Sequence, residues 1–92
     1  MDSIESLIYG LLNNNRKDVV GTDEVGDYLV DTCYTADAGY ETAIKKWGGE
    51  WIIVRRYASR EEAKECHRDW VEFCKAVPAS VYSVQAGERV EF

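Results

Sequence analysis

Residues 28–57 read YLVDTCYT-ADAG-YETAIKK-WGG-EWIIVRRY, three runs rich in aromatic and β-branched residues set apart by two short breaks. Such side chains pack well on a pleated surface and favour strands. Ala36-Asp37-Ala38-Gly39 supplies turn chemistry for the first break, and Gly48-Gly49 closes the second. Three strands joined by two short loops make an antiparallel meander, expected over Tyr28–Thr35, Tyr40–Lys46 and Glu50–Tyr57. Tyr28, Val30, Thr32 and Tyr34 share one side of the first strand, while Leu29, Asp31 and Cys33 share the other. Trp51 and Ile53 oppose Ile52 and Val54, so the third strand is apolar on both faces. That pattern fits a central strand, or one whose second face meets a partner chain.

Downstream, Ser59 followed by Glu62 forms a capping box. Ala63, Cys66, His67, Trp70, Val71, Cys74 and Val77 then recur at helical spacing on one face, and Pro78 stops the run. The other face alternates Arg60, Lys64 and Arg68 with Glu61, Glu65, Asp69 and Glu72, the pattern of a solvated helix surface. Ser80–Val84 reads as a strand, and Gln85-Ala86-Gly87 turns it either into a terminal hairpin or toward a sheet edge. Upstream, Ile4, Leu7, Ile8, Leu11 and Leu12 mark a short amphipathic helix ended by Asn13-Asn14-Asn15. Residues 16–27, polar and broken by Gly21 and Gly26, are expected to form a connection with turns and a brief extended piece at Val19-Val20. The fold class is α+β, in the order α-β-β-β-α-β with a further strand at the end, both helices packing on one face of the antiparallel sheet.

Ninety-two residues make one domain with a single core. No apolar stretch approaches the ~20 residues a membrane span needs. The acidic opening Met1-Asp2-Ser3-Ile4-Glu5 lacks the basic region of a signal peptide, so a cytoplasmic location is expected. Three widely spaced cysteines, Cys33, Cys66 and Cys74, lack the even, dense pattern of a disulfide framework. Free thiols on an apolar helix face behave as small hydrophobes.

Catalytic templates are poorly matched. The one histidine, His67, falls on the apolar side of its helix beside Trp70, where a packed, hydrogen-bonded core residue is the plain reading. A nucleophile pair would need Cys33 brought to His67, with an orienting acid. Cys66 and His67 are adjacent, about 100° apart on a helix, so zinc-ligand spacing is missing. Gly48-Gly49 lacks the lysine and following helix of a phosphate loop. Asp31, Asp37 and Glu41 could approach across one hairpin, but carboxylates on a sheet face are ordinary. Neither enzymatic activity, a cofactor nor a metal is expected.

Charge divides unevenly. The net charge is −6, yet residues 1–44 hold nine acids against Arg16 and Lys17, and residues 45–92 hold eight acids against nine bases. A concentrated negative field repels duplex nucleic acid and attracts basic protein surfaces, although acidity also serves solubility. The candidate contact surface is Asp23, Glu24, Asp27, Asp31, Asp37 and Glu41 with Tyr28, Tyr34 and Tyr40 as amphipathic anchors. On this reading, reversing Asp31, Asp37 and Glu41 to lysine abolishes binding and leaves the fold intact. A second reading takes Arg55, Arg56, Arg60, Lys64 and Arg68, with Tyr57 among them, as a strip that holds a nucleotide signal. A third makes the chain a structural homodimer, pairing through Trp51–Val54 or the Val81–Phe92 tail.

The run Asp31-Thr32-Cys33 … Asp37-Ala38-Gly39-Tyr40-Glu41-Thr42-Ala43, with Arg56-Tyr57 and Ser59-Arg60-Glu61-Glu62-Ala63-Lys64-Glu65-Cys66-His67, resembles small accessory proteins of tailed bacteriophages and prophages. There, a Tyr-Glu-Thr strand precedes a strand ending Arg-Tyr and a helix with glycine before its histidine; Cys66 stands here instead. The resemblance covers about residues 30–72 and implies a habitat, the bacterial cytoplasm, and no activity. It implies a partner in a host protein or ribonucleoprotein, such as a nucleic-acid-handling defence complex of the CRISPR-Cas kind, bound and blocked by the acidic surface.

Overall fold

The computed structural model describes residues 16–92. The helix expected over Ile4–Leu12 lies outside them. Four strands, β1 (Arg16–Val25), β2 (Tyr28–Thr35), β3 (Gly39–Lys46) and β4 (Ile52–Tyr57), form one antiparallel sheet in sequence order. Helix α1 (Arg60–Lys75) crosses one face, and β5 (Ser80–Ser83) with β6 (Glu88–Glu91) makes a separate two-stranded hairpin. The α+β class and the central meander agree with the sequence reading. The meander has four strands instead of three, and the terminal hairpin is the one formed.

The additional strand is β1, where turns were expected. It pairs with β2 from Val25↔Tyr28 through Gly21↔Thr32, and the register then shifts twice, between Val19 and Gly21 and between Arg16 and Asp18. Each shift leaves one β1 residue, Val20 and then Lys17, without an opposite number, so side-chain alternation is broken. That breakage, with four polar or glycine residues between Val20 and Val25, hides the strand from a period-two search. The β1–β2 connection is a two-residue turn whose first central residue, Gly26, has φ +59. Glycine at this place in a tight hairpin meets no steric objection to positive φ.

A bulge in β4 re-aims its side chains. Thr42 lies opposite Arg55 while the next residue, Ala43, lies opposite Ile53, which makes Val54 the additional residue. Strict alternation would put Arg56 on the side of Ile52 and Val54. After the bulge, Tyr57 takes the helix side and Arg56 the opposite one, where it meets Glu41.

The core lies between the sheet and α1. Tyr28, Val30, Ile44, Val54, Cys74 and Val81 are buried there, with Ile52, Trp70, Phe73 and Phe92 packed against them. Burying one such aliphatic or aromatic side chain contributes about 1.5–3 kcal/mol. Ser59 caps α1 by accepting from the Glu62 amide at 3.2 Å, and Glu62 accepts in return from the Ala58 amide at 3.1 Å. The terminal hairpin is tied to the sheet by the Val84 amide donating to the Ile53 carbonyl. Tyr28 also joins it, through its hydroxyl to the Pro78 carbonyl at 2.6 Å and edge-on contact with Phe92. Among the described residues, no helix is long and apolar enough to cross a membrane.

Candidate functional site

A line of hydrogen-bonded side chains runs through the interface between sheet and helix. Thr32 and Thr42 are direct cross-strand partners, and their hydroxyls meet at 2.6 Å. Thr42 also meets the Tyr57 hydroxyl at 2.8 Å, which the β4 bulge has turned inward. The helix offers His67 and Trp70 three residues apart. Nδ1 of His67 lies 2.6 Å from Thr32 Oγ1, and Trp70 Nε1 donates to Tyr57 at 3.0 Å. At the far end, His67 Nε2 sits 2.7 Å from Asp23 Oδ2 on β1. One direction gives every donor an acceptor: Trp70 to Tyr57, Tyr57 to Thr42, Thr42 to Thr32, Thr32 to Nδ1, and Nε2–H to Asp23. The imidazole is then neutral with its proton on Nε2.

Asp23, His67 and Thr32 have the composition of an acid, a base and a hydroxyl nucleophile. Burial decides what they can do. Thr32 and Thr42 are 0% exposed, so no substrate carbonyl can approach either hydroxyl. The line instead fixes how α1 sits on the sheet, since each buried polar atom in it would be costly without its neighbour. His67, 6% exposed with both nitrogens engaged, is the packed core histidine the sequence pointed to. Among the described residues, no three of the histidine, cysteine and carboxylate side chains come together as a metal site would need.

The expected acidic surface divides. Tyr28 and Asp31 are not on it. Tyr28 opens β2 on the helix face and is buried in the core. Asp31 is 1% exposed, and its carboxylate accepts from Thr22 on the neighbouring strand at 2.6 Å. The remaining residues lie at opposite ends of β2. Asp23, Glu24 and Asp27 flank the β1–β2 turn, whereas Tyr34, Asp37, Tyr40 and Glu41 flank the β2–β3 turn. Eight residues of strand separate the two by about 23 Å.

The β2–β3 end is largely self-paired. Tyr34 and Tyr40 stack edge to face with centroids 5.0 Å apart, and the Tyr40 hydroxyl donates to Asp18 at 2.8 Å. Asp18 also accepts from Arg60, and these two bonds hold its carboxyl below the usual carboxylate range. Glu41 is half-buried and pairs with Arg56; desolvation raises its pKa and the arginine only partly opposes that. Asp37 is exposed in the turn. At the β1–β2 end, Glu24 and Asp27 are exposed and carry no ion pair among the described residues.

The basic strip is also partly engaged. Arg55 lies over the Tyr57 ring and pairs with Glu62, Arg56 pairs with Glu41, and Arg60 pairs with Asp18. The pairs of Arg55 and Arg60 are exposed and weak enough for an incoming anion to compete, whereas that of Arg56 is to the half-buried Glu41. Lys64 and Arg68 stay exposed on the outer face of α1.

Two surface features depart from the sequence pattern: Trp47 carries no expectation there, and Val77, expected on the apolar face of the helix, lies beyond its end at Lys75 and is exposed. Trp47, 54% exposed, stands in the β3–β4 turn with its amide donating to the Asp27 carbonyl at 2.7 Å, which pins it beside the β1–β2 turn. The signal was its place in Lys46-Trp47-Gly48-Gly49, a large ring in a turn, where burial is hard to arrange. Val77, 70% exposed, has φ +53, a conformation normally left to glycine or asparagine at a helix end. Compared with protein-family models, curated proteins and solved structures, the chain matches none.

Proposed function

We propose that this chain is a non-enzymatic protein-binding module that docks on a basic partner through the acidic and aromatic residues at the ends of its sheet. The observation that carries the reading is the pairing, at the β1–β2 end, of two exposed carboxylates, Glu24 and Asp27, which carry no ion pair among the described residues, with an exposed tryptophan, Trp47. Interfaces are anchored by such half-exposed aromatics, and exposed charges steer association with opposite charge on a partner. The net charge of −6 favours the same class of partner.

In the habitat implied by the resemblance to phage accessory proteins, the partner is a host protein or ribonucleoprotein. The binding surface of a nucleic-acid-handling defence complex, rich in arginine and lysine, fits the requirement. Occupying it would inhibit the complex without chemistry. The test is affinity capture from nuclease-treated bacterial lysate, comparing the wild type with Glu24→Lys/Asp27→Lys/Asp37→Lys. A basic protein held by the wild type through moderate salt and lost by a folded variant supports the reading; equal retention by both overturns it.

A further inference from the structure

Between the exposed ring of Trp47 and the β1–β2 turn lies an open recess of about 190 Å³, lined by Glu24, Gly26, Asp27, Tyr28, Leu29 and Trp47. We infer that this recess is a receptor for a single arginine side chain presented by the partner, an assignment that rests on the protein-binding reading above and locates its anchor. The lining has two kinds of group that recognise a guanidinium. The indole supplies a broad π-face, which attracts cations and stacks on the planar guanidinium. Glu24 and Asp27 supply carboxylates that carry no ion pair among the described residues, and a guanidinium offers them a fork of five donors.

The floor suits the aliphatic stem of such a side chain. Leu29 is buried behind it, and Gly26 has no side chain to obstruct entry: a Cβ built there would meet nothing within 4 Å. The recess is shaped by rigid elements. Gly26 and Asp27 belong to a two-residue turn, and the Trp47 amide bond to the Asp27 carbonyl fixes the tryptophan backbone against that turn. Little ordering is then left to pay on binding, which is what preorganisation means here. Other charged clusters on the molecule differ: Asp18, Glu41 and Glu62 each already hold an arginine of the same chain. Glu24 and Asp27, which pair with no arginine among the described residues, are left to receive one from outside.

The test is a titration of the ¹⁵N-labelled full chain with N-acetyl-arginine methylamide, its uncharged citrulline analogue and the lysine analogue, followed by amide and indole shifts. The expected result is saturable movement of the Trp47 indole N–H and the Gly26 and Asp27 amides with the arginine probe. The lysine analogue should bind about three- to fivefold more weakly and the citrulline analogue not measurably. Glu24→Gln/Asp27→Asn and, separately, Trp47→Leu should each weaken the arginine probe about fivefold or more. Asp37→Asn should leave it unchanged. Equal response to citrulline, equal or tighter binding of lysine, or shifts spread evenly over the exposed acids would overturn the assignment. Should Trp47→Leu fail to fold, the isosteric carboxylate variant, which removes charge alone, decides. The two levels separate cleanly. Saturable arginine binding with partner capture indifferent to Glu24→Gln/Asp27→Asn would retain the recess and refute its part in docking. Partner capture lost only with Asp37→Lys would retain the module and refute the recess.

Discussion

The imidazole of His67 lies directly on the backbone of Gly21: a Cβ at position 21 would come 2.8 Å from Nε2 and 2.9 Å from Cδ2. The glycine that made residues 16–27 look like a connection is the residue that lets the helix dock on the edge strand. His67 can reach Asp23 on one side and Thr32 on the other only because nothing projects from the strand beneath it.

Gly21→Ala therefore has to move either the ring or the strand. It is expected to cost about 1–3 kcal/mol, the range for overfilling a packed site, read as a lower urea midpoint. The loss should shrink in a His67→Ala background, because the neighbour that causes it is gone. Gly26→Ala makes a contrast: with φ +59 and open space around it, the cost is backbone strain alone, about 1 kcal/mol. A Gly21→Ala penalty that is the same with and without His67 would refute the contact.

Thr32→Val keeps the shape and removes the hydroxyl that joins His67 to Thr42. Leaving buried partners unsatisfied is expected to cost about 1–3 kcal/mol, and Thr42→Val added to it should cost much less than it does alone. The same line of bonds predicts the Nε2–H tautomer of His67, which ¹⁵N spectra of the imidazole report. A proton found on Nδ1 would reverse the assigned direction.

Cys74 is buried on α1, and desolvation pushes its thiol up from 9.0 to about 11. In the unfolded chain it would ionise near its ordinary value; in the folded chain it stays neutral longer. Stability from this source is present below pH ~9 and is lost as pH rises toward about 11. Tyr28 and Tyr57, raised by burial in the same way, act in the same direction. Urea midpoints should fall steadily over that window, and less steeply in Cys74→Ala. In native protein at pH 8, iodoacetamide should reach the half-buried Cys66 well before the buried Cys33 and Cys74.

Val77 holds a branched side chain at φ +53 while exposing most of it to solvent. Val77→Gly should raise the urea midpoint by the equivalent of about 0.5–1 kcal/mol, since relief of left-handed strain exceeds glycine's entropic disadvantage. A destabilised variant would mean that Val77 packs more than its exposure indicates.

Strands β2, β3 and β4, the Ser59 cap and the apolar face of α1 as far as Cys74 were legible, because each carries a periodicity or a cap that acts over a few residues; Val77 was not, since the helix ends before it. The bulged strand β1 was not, since irregular register erases alternation and tertiary pairing overrides the weak strand propensity of Gly21, Asp23 and Glu24. For the same reason the candidate surface was legible only in composition. Asp31 and Tyr28 look like surface residues in a list of polar and aromatic side chains, yet both are buried, Tyr28 in the core beneath α1 and Asp31 against Thr22. Reversing Asp31 to lysine would place a charge beside Thr22 in a closed strand pair, so it tests folding and not binding. The place of Trp47 beside the β1–β2 turn depends on its amide bond to the Asp27 carbonyl, a contact between residues far apart in sequence that no local pattern encodes.

The most direct measurement of the central claim is the dissociation constant for a purified captured partner, taken with three proteins over a range of salt. The proteins are the wild type, Glu24→Lys/Asp27→Lys/Asp37→Lys, and Arg55→Glu/Arg60→Glu/Lys64→Glu. Wild-type binding is expected to weaken with salt, the first variant to bind at least about tenfold more weakly, a loss of about 1.4 kcal/mol, and the second to bind as the wild type does. Loss of binding in the second variant alone, with the first unaffected, would contradict the central claim and shift the binding surface to the basic strip.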